Sequence, residues 1–340
     1  MDRFDLWTGG RLRGANAFPR HTVEDLRTLR SWGANLVSFG VQSVAEFDAP
    51  FDLRPDGFAD TDTALARAQE ADLFATINFR SAPGRRDFNT DHSMWQDFAY
   101  HDAFVRMWRE TARHLRDAPI AGYDLMCEPH PEDLFSDFPR EQRAELMRGT
   151  AADWNVLIRR TTEAIREEDP GTPIIINSTG WAYPYTFGYL EPTGDPRTVY
   201  SVHYYSPRPY THQKSEAPVP YPGIVSAHVE PEQYWDMSVI ARTLQPVRDF
   251  QGRTGAPIFA GEFGCARYAP GVEQFFRDEI GLYEQWGWSW AYWDLRGWQV
   301  MDLEMNADPE DRQRYADTPL LRVFKEYFAS DTVWPSTAEG

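Results

Sequence analysis

The chain is poor in the features that would assign it to a specialised class. Its 340 residues include only two cysteines, Cys127 and Cys265, so no disulfide framework holds it and stability must come from a packed core. No apolar run approaches membrane-spanning length, which excludes a membrane-embedded chain of helices. The opening residues, Met1 to Trp7, lack a basic start followed by an apolar stretch, and a cytoplasmic location is expected on that ground. Positive charge is scarce: the formal net charge is -18, which argues against nucleic acid and anionic membrane surfaces as partners. Lysine is very rare and ends no strand-like run, which disfavours Schiff-base chemistry. No Gly-x-Gly-x-x-Gly follows an early strand, so dinucleotide binding is not indicated. No ligand-spaced His/Cys cluster suggests a metal, and no cofactor is expected.

Aromatic residues, by contrast, make up 15% of the chain. Many follow apolar runs: Trp181, Tyr183, Tyr185, Tyr204, Tyr205, Tyr210, Trp293 and Trp298. Aromatic rings with polar tips suit both the apolar faces and the polar rims of sugars, although a Trp-rich core would leave the same trace. Two glutamates carry more weight. Glu128 closes the stretch Ile120 to Met126 and precedes Pro129; Glu262 lies in Pro257-Ile258-Phe259-Ala260-Gly261-Glu262-Phe263-Gly264. Each ends a short apolar run that reads as a buried strand. A carboxylate there is costly without a partner or a task. Two carboxyls facing one site are what glycosidic bond cleavage requires.

Eight strand-like runs, over residues 12–17, 35–41, 73–79, 120–126, 173–177, 199–204, 257–260 and 288–293, alternate with amphipathic stretches over 22–32, 61–71, 95–115, 141–168, 232–250 and 272–286, and a last helix is expected near 319–328. Only the fifth link, 182–197, lacks a clear helical pattern. Thr22 with Asp25 reads as a capping pair, Gly33 as a helix stop, and Asp169-Pro170-Gly171 as a turn into a strand. Eight such repeats predict a single (β/α)8 barrel over residues 1–340, with the site at the C-terminal ends of the strands. Those ends carry Asn16, Ser38, Arg80, Glu128, Ser178, His203 with Tyr205, Glu262 and Trp293. The irregular stretch 206–231, rich in proline, is long enough to form a wall or lid over the cleft.

On these residues the chain resembles glycoside hydrolase family 5, in the large clan of retaining (β/α)8 glycosidases that includes cellulases, mannanases and exo-β-glucanases. The resemblance runs from Leu12-Arg13-Gly14-Ala15-Asn16 to Trp293. Cys127-Glu128-Pro129 stands where the family has Asn-Glu-Pro, Gly261-Glu262-Phe263-Gly264 where it has the nucleophile, and His203-Tyr204-Tyr205 where it has His-x-Tyr. Ala82-Pro83-Gly84 and Trp95 resemble the exo-glucanase branch. The resemblance implies that Glu128 is the acid/base and Glu262 the nucleophile. Asn16, Arg80, Cys127, His203, Tyr205 and Trp293 would bind a carbohydrate substrate, with Trp293 as a sugar platform or as packing at the barrel mouth. Electrostatics then predicts that Glu262, near Arg80 and Tyr205, stays ionised, while Glu128 facing it has a raised pKa.

Three positions depart from the family pattern. Ser38 replaces the usual arginine at the end of the second strand, Arg80 replaces a histidine at the end of the third, and Cys127 replaces the asparagine that holds the sugar 2-hydroxyl. Arg80 is expected to supply the missing positive partner of Glu262. A thiol is a weak donor beside an amide, so an altered sugar preference is expected. A Cys127–Cys265 disulfide would have to cross the barrel mouth and is not expected. A transglycosidase on the same fold and a carbohydrate-binding protein that has lost turnover are the alternative readings.

Overall fold

The computed structural model describes residues 2–9, 12–226, 232–330 and 333–338. Eight parallel strands close into a barrel: β1 (Arg13–Ala17), β2 (Leu36–Val41), β3 (Phe74–Phe79), β4 (Gly122–Asp124), β5 (Ile174–Asn177), β6 (Thr198–Tyr204), and then, past a two-stranded insertion, two final strands. The insertion is an antiparallel hairpin of β7 (Gly223–Val225) and β8 (Gln233–Trp235); β9 (Ile258–Phe263) and β10 (Ser289–Tyr292) then complete the barrel, with β9 against β6 and β10 against β1. The predicted (β/α)8 architecture is therefore the one observed.

The apolar runs form strands because both faces of a parallel barrel strand are covered. Inward side chains fill the barrel and outward ones meet the helices. At the N-terminal end Leu6, Trp7, Leu12, Leu36, Ile175, Val199, Phe259 and Ala291 form a separate apolar layer. Trp7 plugs this end: its indole N–H donates to the Ala121 carbonyl at 3.0 Å, and its ring meets Phe259 edge-on at 5.2 Å. The opposite mouth opens into a cleft.

Local signals set the helix ends as expected. Thr22 and Asp25 form a reciprocal capping box before the helix Val23–Ser31. The Asp169 carboxylate accepts from the Gly171 and Thr172 amides and from the Tyr123 hydroxyl, which fixes the turn into β5. Two expected helices are broken. The stretch 141–168 divides into Arg140–Met147 and Trp154–Glu168, with Gly149 at φ 72° and the Asp153 carboxylate accepting from the Gly149 and Val156 amides. A side chain that caps a new N-terminus outweighs a continuing apolar period. Likewise 232–250 begins as β8 and continues as Met237–Thr243, capped by Asp236, and Gln245–Thr254. The stretch 206–231 is not wholly irregular: it holds a helical turn, Arg208–Thr211, and β7, while its residues 227–231 lie outside the described residues. Among the described residues no helix is long and apolar enough to cross a membrane.

The closeness of β1 to β2 depends on Gly14. A Cβ there would stand 1.8 Å from the Leu36 carbonyl oxygen, a backbone atom that cannot move without parting the two strands. Gly14→Ala is predicted to cost at least about 3 kcal/mol of stability, or to prevent folding. Urea denaturation measures this, and a variant within about 0.5 kcal/mol of wild type would contradict the close approach.

Candidate active site

The β6–β9 ladder has a register shift between Val202 and His203, after which His203 pairs with Glu262. This irregularity aims both side chains into the open mouth. Glu262 is buried, and its two carboxylate oxygens are engaged separately. Oε1 accepts from Arg80 Nη1 at 3.2 Å and from the Cys127 thiol at 3.3 Å; Oε2 accepts from the Tyr205 hydroxyl at 3.0 Å. His203 Nδ1 lies 2.8 Å from Glu128 Oε1 and 3.7 Å from Glu262 Oε2, so one imidazole spans the two carboxyls.

The protonation states follow from burial and charge. Burial and the Glu262 carboxylate both push the Tyr205 phenol well up, and burial does the same to the Cys127 thiol, so both keep their protons and donate. Burial opposes the Arg80 charge, but the facing carboxylates of Glu262 and Glu128 more than offset it and its pKa is raised. Burial also disfavours the His203 imidazolium, yet the facing carboxylates of Glu262 and Glu128 outweigh it and hold the pKa above its ordinary value.

Arg80 reaches Glu262 because Gly40 leaves room. A Cβ on Gly40 would stand 2.8 Å from Arg80 Cδ, so the arginine stem lies across β2 from its origin at the end of β3. Its guanidinium sits between the rings of Phe88 and Trp293, 4.5 Å and 4.9 Å from their centroids. Arg80 thus pairs with Glu262 from the neighbouring strand, while Ser38 is buried and small.

Glu128 has the left-handed φ of 47°, an uncommon state for a residue with a side chain and a strained one before proline. Its carbonyl oxygen accepts from Arg85 Nη2 at 3.1 Å and from His130 Nδ1 at 2.7 Å, and its amide meets Asn177 Oδ1 at 3.4 Å. Arg85 Nη1 also donates to the Cys127 carbonyl at 2.8 Å. Arg85 is fully buried, and burial lowers its pKa to about 10, still charged at neutral pH. Neither Arg85 nor Asn177 was read from the sequence. Arg85 follows the Ala82-Pro83-Gly84 turn and Asn177 ends β5, signals that place them near the mouth without saying that they grip backbone.

The mouth opens into a cavity of about 990 Å³. Glu128, His203, Tyr205, Glu262 and Trp293 line it, with Trp181, Tyr183, Tyr185 and Trp298 among the flanking aromatics. Ser206, Arg208, Pro209 and His212 supply part of the wall expected from the long sixth connection. Asn16 does not line the cavity. Its amide nitrogen donates to the Gly261 carbonyl at 2.8 Å and lies 3.3 Å from the Ala291 and Tyr292 carbonyls, so it ties β1 to β9 and β10 beneath Glu262. A side chain at the first strand end is short of the opening when three carbonyls use its only donor group. Cys127 is likewise buried under the carboxylate and not on the wall, and both cysteines are free thiols. Tyr204 and Tyr210 point away from the cavity into the core.

Deeper in the barrel Asp124 is fully enclosed, accepting from Asn177 Nδ2 at 2.8 Å. Burial raises its pKa to about 7, with Asn78, His203 and Asn177 acting the other way. A carboxyl whose folded pKa exceeds its unfolded one contributes stability that is complete below the unfolded value, near 4, and is lost as pH rises through about 7. Asp124→Asn is therefore predicted to gain stability relative to wild type as pH rises from about 4 to about 7, by up to a few kcal/mol, and to hold that gain above. Denaturation across this range measures it; a difference independent of pH would contradict the assignment.

Comparison with known proteins agrees with this fold. Residues 6–298 match the family model for cellulase, glycosyl hydrolase family 5. Endoglucanase C of Acetivibrio thermocellus is 24% identical over 322 residues, covering 86% of this chain and 87% of the relative. Among solved structures, endoglucanase Cel5A of Thermotoga maritima superposes with a TM-score of 0.71 at 19% identity, over 95% of this chain and all of that one. A hyperthermophilic endo-beta-1,4-glucanase in complex with substrate gives 0.73 at 18%, over 96% of this chain and all of that one. A barrel with two glutamates facing one another across an aromatic cleft, matched over most of its length by that family model, places this chain in glycoside hydrolase family 5, as a retaining glycosidase that hydrolyses O-glycosyl bonds of a β-glycan.

Proposed function

We propose that Glu262 is the nucleophile and Glu128 the acid/base of a double displacement on a β-linked oligo- or polysaccharide. The observation that carries this is the asymmetry of the two carboxyls: Glu262 is surrounded by three donors, Arg80, Cys127 and Tyr205, while the Glu128 carboxyl has the single partner His203 among the described residues. Donors that bind the charged form keep a carboxylate ionised and aimed. The single imidazole within 2.8 Å of one carboxyl and 3.7 Å of the other supports the short span of a retaining pair, about 5–5.5 Å. In the first step Glu262 attacks the anomeric carbon as the glycosidic bond breaks, and the leaving oxygen takes the proton of Glu128. In the second step Glu128 takes a proton from water, whose oxygen displaces Glu262. Two inversions give net retention.

Trp293 is proposed as the platform under the cleaved sugar, beside Arg80, and the aromatics Trp181, Tyr183 and Tyr185 as further ring-binding surfaces. An alanine at position 262 removes the nucleophile and leaves a space. Glu262→Ala is predicted to lower kcat on an aryl β-glycoside by at least about 10⁴-fold. Azide should then restore turnover and yield the inverted glycosyl azide. Recovery of activity without that product, or an active variant, would contradict the role of Glu262.

Cys127 is proposed to set the sugar preference. Its thiol is spent on Glu262, so this position offers no amide to an equatorial 2-hydroxyl. A site lacking a directional bond discriminates less against sugars that lack its partner. Cel5A of Thermotoga maritima has been described in complex with both cellobiose and mannotriose, which supports a cleft of this shape accepting either sugar. The expectation is a low preference for plain β-glucan and better relative activity on a β-mannoside or a furanoside. Cys127→Asn is predicted to raise the ratio of kcat/KM on paired gluco and manno substrates by about tenfold. An unchanged ratio would show that the thiol is filler.

A further inference from the structure

Beside the cleft, on the far side of the Glu128 backbone, lie His92, His130 and Asp133. A nitrogen of each ring and a carboxylate oxygen lie within 4.8 Å of one another. The two imidazoles meet edge to face, with ring centroids 5.4 Å apart. Two features set this group apart from an ordinary polar cluster. His130 is fully buried and spends Nδ1 on the Glu128 carbonyl at 2.7 Å, which leaves Nε2 enclosed with no hydrogen-bond partner among the described residues. Nδ1 of His92 is also enclosed and without a partner. Two enclosed ring nitrogens without partners among the described residues, on histidines grouped with a carboxylate, are expensive to leave unsatisfied.

The geometry points to a binding site for a divalent transition-metal ion of the zinc class, held by His92, His130 through Nε2, and Asp133, with solvent in the remaining position. Two imidazoles and a carboxylate are a common ligand set for such ions. The Nδ1–H of His130 on a backbone carbonyl is the outer contact that usually fixes the tautomer of a metal-binding histidine. Burial and the Arg85 charge lower the His130 pKa to about 3, so the ring is neutral and able to ligate. Arg85 lies 3.4 Å from Nδ1, the edge of the ring away from Nε2. The Trp181 ring stacks on His130 at 3.8 Å and fixes its plane. The spacing in sequence gave no sign of this set because His92 belongs to the connection after β3 and the other two to the connection after β4. Ligands on one zinc ion stand roughly 3.3 Å apart, so binding draws these two connections together and braces the carbonyl of Glu128. The site itself does not depend on the role proposed for Glu128.

The test uses the full chain stripped with a chelator and titrated with zinc by calorimetry, and with cobalt followed by visible absorption. One ion per chain is expected, with a rise in Tm. His92→Ala and Asp133→Asn are each expected to weaken binding at least about tenfold and to remove the rise, while their metal-free circular dichroism matches wild type. Absence of saturable binding would overturn the proposal, as would equal affinity in both variants. Loss of binding in Cys127→Ala with retention in His92→Ala would also overturn it, by assigning the ion to the Cys127, His203 and Glu262 group instead.

Discussion

A carboxylate buried at the end of a parallel strand is costly to keep ionised unless other groups replace its water. Glu262 is in that position, and much of the mouth is arranged around its charge. Arg80 crosses β2 to reach one oxygen, which requires Gly40; Tyr205 follows His203 on the same connection to reach the other; Cys127 fills the space between Arg80 and Glu262. The chain as a whole is strongly acidic, so Arg80 and the buried Arg85 beside this site are a local reversal of its overall field. The Arg80 guanidinium lies between the Phe88 and Trp293 rings and Arg85 lies over Phe88, apolar surroundings that strengthen their effect on the carboxylate.

Glu128 depends on a different constraint: His203 meets its carboxyl, and the rest of its support is on the backbone. Its left-handed conformation before a proline is maintained by Arg85 and His130 on its carbonyl and by Asn177 at its amide. The two glutamates are thus fixed by separate means, one through its side chain and one through its main chain. Separate fixing lets the environments of the two carboxyls differ, which is what an acid and a nucleophile working in turn require. Asn16 belongs to the same economy of support, since its amide ties the strand that carries Glu262 to its neighbours.

The fold was legible because parallel barrel strands are buried on both faces, so their apolar runs stand out and their C-terminal residues name the mouth. Glu128, Glu262, His203, Tyr205 and Trp293 were found by that rule and do line the cavity. Arg80 is a strand end by the same rule, and the absence of a charge at Ser38 is what suggests its pairing with Glu262. Three things were hidden. The breaks at Gly149 and at Asp236 arise from caps that compete with a continuing helical period. The inward turn of Asn16 to carbonyls cannot be told from a turn toward the cleft by its place on the strand. Arg85 and Asn177 act on backbone atoms of another connection, a relation that exists only once the barrel closes.

Covalent trapping tests the central claim about Glu262 most directly. The enzyme would be incubated with an activated 2-deoxy-2-fluoro β-glycoside, digested, and its labelled peptide sequenced by mass spectrometry. The electron-withdrawing fluorine slows both steps, and the activated leaving group lets the first proceed, so a glycosyl ester accumulates. The account predicts one sugar per chain, attached to Glu262 through its side-chain oxygen. Label on Glu128, or inactivation-free turnover with inversion at the anomeric carbon, would contradict it.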